Sequence, residues 1–357
     1  MSHLPLYEYE SLSKDSAIRL LTLQPGPLAA ALVCTLEERN DEPYEALSYC
    51  WGNEAPSVPI TILKGSKDFR FDIRPNLGSA LRHLRYPNPG KPRRFWIDAV
   101  CMNQESDAEK SSQVPMMAEI YGDAKEVRIW LGEQEEDSHL AFDFITKDVL
   151  DLRRFHNLTK DAQTSKQWAA MAALMKRPWF SRRWVVQEIA LAKTATLHCV
   201  RDQVPWRDFA VAVSLFESVE TRDRTLSDLI RQCEAYKNMP DFFGEVKAMG
   251  ATRLVHATSN LFRKDGDKID ALLSLEYLVS DLTAFKASYP IDIIYAVLAL
   301  ARDTRPTIDG PKARDDVESR VANKWLSVFR SKPLQRSYPV DYSQTFFQAA
   351  QYFAILR

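Results

Sequence analysis

From residue 44 onward the chain repeats one arrangement. A short apolar run is followed by polar or turn residues, then by a longer stretch with apolar positions three and four apart. The runs YEALSY (44–49), FWIDAV (95–100) and EVRIWL (126–131) are too short for helices and read as buried strands. Between them, Leu77, Leu81 and Leu84 share one helical face, and Val114, Met117, Ala118 and Tyr121 share another. Strands alternating with helices predict a parallel sheet. Upstream, RLLTL and AALVCTL flank the turn signal Gln24-Pro25-Gly26-Pro27 and predict an N-terminal β-hairpin.

Helical patterns continue over 138–155, 166–177 and 181–193, and ATLHCV (195–200) reads as a last strand. After Trp206 the strand signal fades, and the polar run Glu220-Thr221-Arg222-Asp223-Arg224 marks a boundary. The expectation is an α/β domain over 1–215, with a parallel sheet flanked by helices, and an all-α C-terminal region over 216–357. The last stretch, YSQTFFQAAQYFAILR, stops without a C-cap or polar tail and suggests a piece of a longer protein.

Composition narrows the chemistry. A length of 357 residues exceeds the ~150 of one average domain, so two domains or a helical extension are expected. A formal net charge of -1 gives no bulk reason to expect nucleic acid or an anionic membrane as partner. Five cysteines, odd in number and without a C-x-x-C pair, argue against a disulfide framework or a zinc ribbon and for reduced thiols in the cytoplasm or nucleus. No stretch approaches the ~18 apolar residues of a membrane span. The 11 glycines are few, and the common nucleotide-loop, metalloprotease and serine-hydrolase motifs are absent. Six scattered histidines predict no metal site.

The stretch SRRWVVQEI (181–189) opens a helix in which Trp184 and Glu188 lie one turn apart. The positions three and four from Glu188 are Trp184, Val185, Leu191 and Ala192, none of them basic. A carboxylate beside an aromatic wall without a local counter-ion is expected to be desolvated, with a raised pKa. The alternative is a structural carboxylate paired with an arginine from elsewhere, such as Arg182 or Arg183 of a neighbouring subunit.

Ligands of open parallel sheets bind beyond the carboxyl ends of the strands, which points to Ser48, Tyr49, Cys50, Trp51 and Gly52. Trp51 can stack on a ring or simply fill core, and Gly52 permits close backbone approach. Strand alternation through FWIDAVCMNQ places Phe95, Ile97, Ala99 and Cys101 on one face and Trp96, Asp98, Val100 and Met102 on the other. Asp98 then orients a ribose or an arginine, or caps the following loop. Asn103 and Gln104 are ligand contacts or loop-closing amides. Cys101, His83 and His198 read as core residues.

YEALSYCWG, RFWIDAVCMNQ, QVPMMAEIYGDAKEVRIWLG and RPWFSRRWVVQEIALA, in this order, resemble the fungal heterokaryon-incompatibility (HET) domain. The resemblance covers roughly 15–210, with family-like patterns again at 291–298 and 338–343; Ser288-Tyr289-Pro290-Ile291-Asp292 stands where relatives commonly carry Asp-Pro-Arg-Asp. HET domains in turn resemble the Toll/interleukin-1 receptor (TIR) fold, a flavodoxin-like five-stranded parallel sheet. Tyr44 to Tyr49 is similar to its first strand, and Ser181-x-x-Trp184-x-x-x-Glu188 to its Ser-x-Trp-Cys-x-x-Glu signature, with one extra residue and Val185 in the cysteine position.

This resemblance implies a cytoplasmic, self-associating effector of programmed cell death in fungal innate immunity, with an incompatibility protein as partner. It also implies hydrolysis of NAD, as substrate rather than cofactor, by Glu188, with Ser48, Tyr49, Cys50, Trp51, Gly52, Asp98, Asn103, Arg182 and Trp184 around the nucleotide. Two alternatives stand beside it: a non-enzymatic death-signalling module, and a sensor that binds an NAD derivative without turnover.

Overall fold

The computed structural model of the protein describes residues 4–87, 90–135, 137–232, 246–265, 268–307 and 336–355. Nine strands form one mixed sheet: β1 (Arg19–Leu23), β2 (Val33–Glu38), β3 (Glu45–Tyr49), β4 (Val58–Lys64), β5 (Lys67–Ile73), β6 (Arg93–Trp96), β7 (Val127–Trp130), β8 (Ala195–Cys199) and β9 (Asp202–Pro205). Their order is β5-β4-β2-β1-β6-β3-β7-β8-β9. The heart is β6-β3-β7-β8, with every neighbouring pair parallel. Counted along the chain, these four run 2-1-3-4, the flavodoxin-like order, so the topological switch lies between β3 and β7. The resemblance implied five parallel strands; here the sheet continues past β8 with the antiparallel β9.

Burial on both faces explains why these strands read as nearly unbroken apolar runs. Ala46, Leu47, Phe95, Trp96, Val127, Ile129, Trp130 and Leu197 are all at most 1% exposed. The N-terminal hairpin forms as expected, β1 pairing antiparallel with β2. It does not stand apart: β1 also pairs antiparallel with β6 and extends the main sheet.

Two parts of the sheet depart from the expectation. The hairpin β4–β5 was not foreseen; it closes through Gly65 and Ser66, with Gly65 at φ +60 supplying the left-handed turn. More consequentially, β6 stops at Trp96 and the chain turns into the short helix Asp98–Cys101. The two-face alternation through Cys101 and Met102 therefore fails, and adjacent Val100 and Cys101 are both buried. A four-residue apolar helix cannot be told from a strand end by periodicity.

The helix Trp206–Asp223 runs unbroken through 215–216, where the domain division was expected. Beyond it the described residues are mainly helical, with two small sheets that the sequence did not announce: Phe262–Asp265 with Lys268–Ala271, antiparallel, and Thr304–Thr307 with Arg336–Pro339, parallel. The C-terminal region sits close against the site described below. The helix Gly250–Asn260 approaches the turn Pro178–Ser181 so closely that a Cβ at Gly250 would lie 3.0 Å from the Phe180 Cβ. Among the described residues, no helix is long and apolar enough to cross a membrane.

Candidate functional site

β3 ends at Tyr49, and its last two residues point to opposite sides of the sheet, as neighbours on a strand must. Ser48 turns to the side of the helix Trp184–Ala190 and donates its hydroxyl proton to Glu188 Oε2. The indole Nε1 of Trp179, which can only donate, gives its hydrogen to Ser48 Oγ at 2.8 Å. Occupied as an acceptor, Ser48 is left to donate, and the chain Trp179 to Ser48 to Glu188 has a fixed direction. The three residues are 1%, 1% and 3% exposed.

Burial pushes the Glu188 carboxyl up to about 7; Arg182 and the Ser48 hydrogen bond pull it back, and Asp98 adds to the rise. Among the described residues Glu188 forms no ion pair. The nearby arginine belongs to the same chain, and its Nη1 donates to the Tyr49 carbonyl instead. Burial disfavours the Arg182 charge, but the fields of Glu188, Cys50 and Asp98 outweigh it and its pKa moves up. Arg182, Cys50 and Asp98 are half-buried.

Asp98, at the start of its short helix, accepts from Trp51 Nε1 at 2.9 Å and from the Ala99 amide at 2.8 Å. Burial raises its pKa, opposed by Arg182 and those two hydrogen bonds. Trp51 is half-buried, with the Arg74 guanidinium 5.6 Å from its ring. Arg74 also binds the Gly52 carbonyl at 2.7 Å, where Gly52 turns the chain at φ +79. Asn103 closes its own loop, accepting from the Glu105 amide at 3.1 Å, and Gln104 reaches back to the Asp98 carbonyl at 2.8 Å.

Tyr49 turns the other way. Its side chain is one wall of a hollow of about 610 Å³, lined also by Trp51, Arg74, Leu77, Asn103 and the N-terminal Tyr7 and Tyr9. The Tyr49 hydroxyl is buried without a hydrogen-bond partner among the described residues. Glu188, Ser48, Cys50, Gly52, Asp98, Arg182 and Trp184 are not among the lining residues. The expected single cleft shared by Glu188 and the loop after the first strand is thus divided: Tyr49, Trp51 and Asn103 line an open hollow, while Ser48 and Glu188 are sealed on the opposite face.

The polar edge of Trp184 is engaged elsewhere. Its Nε1 donates to Asp292 Oδ2 at 3.0 Å, and the indole that joins the Glu188 network is Trp179. Sequence reasoning passed over Trp179, Asn76 and Asp292. Asn76 spans two strand ends, donating to the Cys50 carbonyl at 2.6 Å and accepting from Trp130 Nε1 at 2.9 Å. A tryptophan just after Pro178, five residues before a second tryptophan, was a visible signal; the partners of Asn76 and Asp292 are distant in sequence and left none. The core assignments of the remaining candidates fit their surroundings. Burial, with Arg128 and Arg93, holds His198 down to about 3, His83 stacks on Trp130 at 5.5 Å, and burial raises the Cys101 thiol to about 12.

The chain is similar to known proteins over part of its length. Residues 44–188 match the family described as Heterokaryon incompatibility protein (HET). The chain is also 27% identical over 241 residues to "Heterokaryon incompatibility protein 6, OR allele" of Neurospora crassa. That match covers 54% of this chain and 35% of the relative, so the chain spans about a third of that protein's length. No solved structure matches the chain.

Proposed function

From the HET domain that this chain carries over residues 44–188, we propose that it is an effector of heterokaryon incompatibility and cell death whose TIR-like sheet hydrolyses NAD to nicotinamide and ADP-ribose on self-association. The observation that carries the reading is Glu188: a buried carboxyl, raised to about 7, outside any ion pair among the described residues, and held at the carboxyl end of β3 beside the switch between β3 and β7. Near neutral pH such a group is close to half ionised and carries its charge in a dry setting, where an electrostatic interaction is strongest.

One carboxylate suffices for this reaction. The leaving nicotinamide departs neutral from a pyridinium that is already cationic, so no acid has to protonate it, unlike the two-carboxylate hydrolysis of ordinary glycosides. What needs help is the positive charge on the ribosyl centre, and an ionised Glu188 supplies opposing charge there while water is the acceptor. Ser48 aims the carboxylate; in this reading Arg182, now bonded to the Tyr49 carbonyl, turns to a phosphate of the substrate.

The test is incubation of the purified protein at high concentration with NAD and chromatographic detection of nicotinamide. Release is expected, and Glu188→Ala and Glu188→Gln should lower it at least about a hundredfold while the fold is retained. No release from an assembled, folded protein, with Asp292 intact or replaced by Ala, would remove the hydrolase reading. Binding without release would mark a sensor.

A second reading has its own observation. Glu188 is 3% exposed, and the Trp179–Ser48–Glu188 chain ties β3 to the neighbouring helix as a structural polar network would. On that reading the HET domain is a death-signalling interaction module, and Glu188→Gln leaves signalling intact.

A further inference from the structure

Several polar groups at the start of the Glu188 helix are bonded to the C-terminal region. Backbone hydrogen bonds join the two directly: the Arg183 amide donates to the Lys286 carbonyl at 2.9 Å, and the Lys286 amide to the Ser181 carbonyl at 2.7 Å. The Arg183 guanidinium, 1% exposed, enters the same region, with Nη1 on the Leu282 carbonyl and Nη2 on the Val279 carbonyl at 3.4 Å. Trp184 reaches Asp292. Gln187, with its amide oriented to suit both neighbours, donates to the Ala296 carbonyl and accepts from the Ala118 amide, each at 3.0 Å.

Asp292 is the hub. Its carboxylate, 5% exposed, accepts from Trp184 on one oxygen and from the Tyr342 hydroxyl at 2.7 Å on the other. The Tyr342 amide in turn donates to Ser111 Oγ at 2.9 Å, and Lys110 Nζ stands 5.5 Å from the Tyr342 ring centre. Ser111 and Lys110 belong to the helix Asp107–Gln113 of the α/β domain. The segment around Tyr342 thus straps the C-terminal region across the sheet's helical layer, and Asp292 locks the strap to the Glu188 helix.

We propose that the C-terminal region is an inhibitory clamp on this helix, that the bridge Trp184–Asp292–Tyr342 is its lock, and that Glu188 becomes accessible only when the lock opens. The catalytic part of this proposal rests on the hydrolase reading above; the clamp itself does not. The physical reason is accounting of polar groups. Any movement that uncovers Glu188 pulls Arg183, Trp184 and Gln187 away from acceptors in a dry interface, and each orphaned donor resists the movement. The same contacts would be unnecessary if the helix stood exposed at an open site.

The proposal is tested in the full chain with Asp292→Ala, Tyr342→Phe and Asp292→Asn. A carbodiimide with an amine marks accessible carboxyls, and peptide mapping by mass spectrometry reads the rate at Glu188. Glu220, a buried carboxylate bonded to Ser227, is the internal control. Asp292→Ala removes the acceptor of both Trp184 and Tyr342, and labelling of Glu188 should accelerate more than about tenfold. Tyr342→Phe deletes one hydroxyl and should give roughly fivefold. Asn can bridge the same two groups, so Asp292→Asn should fall nearer the wild-type rate.

Nicotinamide release from NAD should rise in the same order. Faster labelling of Glu188 without release leaves the clamp standing and removes the hydrolase. An unchanged Glu188 rate in both Asp292→Ala and Tyr342→Phe overturns the clamp, as does acceleration of Glu188 and Glu220 together in both, because that is general loosening.

Discussion

The two sides of the end of β3 are built on opposite plans. On one, Ser48 donates a hydrogen bond to Glu188 and accepts one from Trp179 in a space closed to water. On the other, Tyr49 borders an open hollow among Trp51, Arg74 and Asn103, and its hydroxyl has no partner among the described residues. One peptide bond separates them. A strand end can therefore feed a dry, electrically tuned network and an open recess at once.

The strongest way to break that contrast is to empty the dry side. Trp179→Ala removes a fully buried indole and the donor that orients Ser48; it should cost about 3–5 kcal/mol in denaturant unfolding. A cost below ~1 kcal/mol would mean that the network is loosely packed.

Glu188→Gln comes next. A carboxyl raised in the fold contributes stability that is complete below its ordinary pKa near 4.5 and is lost as pH climbs through about 7. The variant has no such loss. Relative to wild type it should gain up to about 3 kcal/mol between pH 4 and pH 8, read from urea midpoints across that window. A flat difference would show that Glu188 titrates as an ordinary exposed acid.

Ser48→Ala is expected to cost about 1–3 kcal/mol, since it leaves the Trp179 Nε1 without its acceptor. It should also move the Glu188 transition above 7, because the Ser48 hydrogen bond is one of the forces holding it down. The smallest effect belongs to the wet side. Trp51→Phe deletes the 2.9 Å bond to Asp98 at a half-buried position and should cost about 1 kcal/mol, leaving the Glu188 transition where it was. A shift of that transition would show that the two sides are coupled through Asp98 and Arg182.

Much of this architecture is written locally. The apolar runs at 44–49 and 126–131 and the leucines at 77, 81 and 84 announced β3, β7 and the helix Pro75–Leu84, because their burial pattern is set by neighbours in sequence. Desolvation of Glu188 was legible for the same reason: no basic residue stands a turn away on its helix. The β4–β5 hairpin is local too: Phe69, Phe71 and Ile73 alternate along β5 and Gly65 marks the turn, a legible signal that was passed over. The rest of what escaped depends on packing and on partners distant in sequence. The end of β6 at Trp96 is decided by the packing of Val100 and Cys101, which no alternation rule contains. Trp184 sits one turn from Glu188, yet a carboxylate more than a hundred residues away captured its N–H.

The placement of β1 has a practical consequence. The family match spans residues 44–188, but β1 and β2 precede it and β8 and β9 follow it, and all four are hydrogen-bonded into the same sheet. A chain trimmed to the matched segment would bare the open flanks of β6 and β7, two apolar ribbons with unanswered amides and carbonyls. Such ribbons recruit one another, and the shortened protein should precipitate rather than fold.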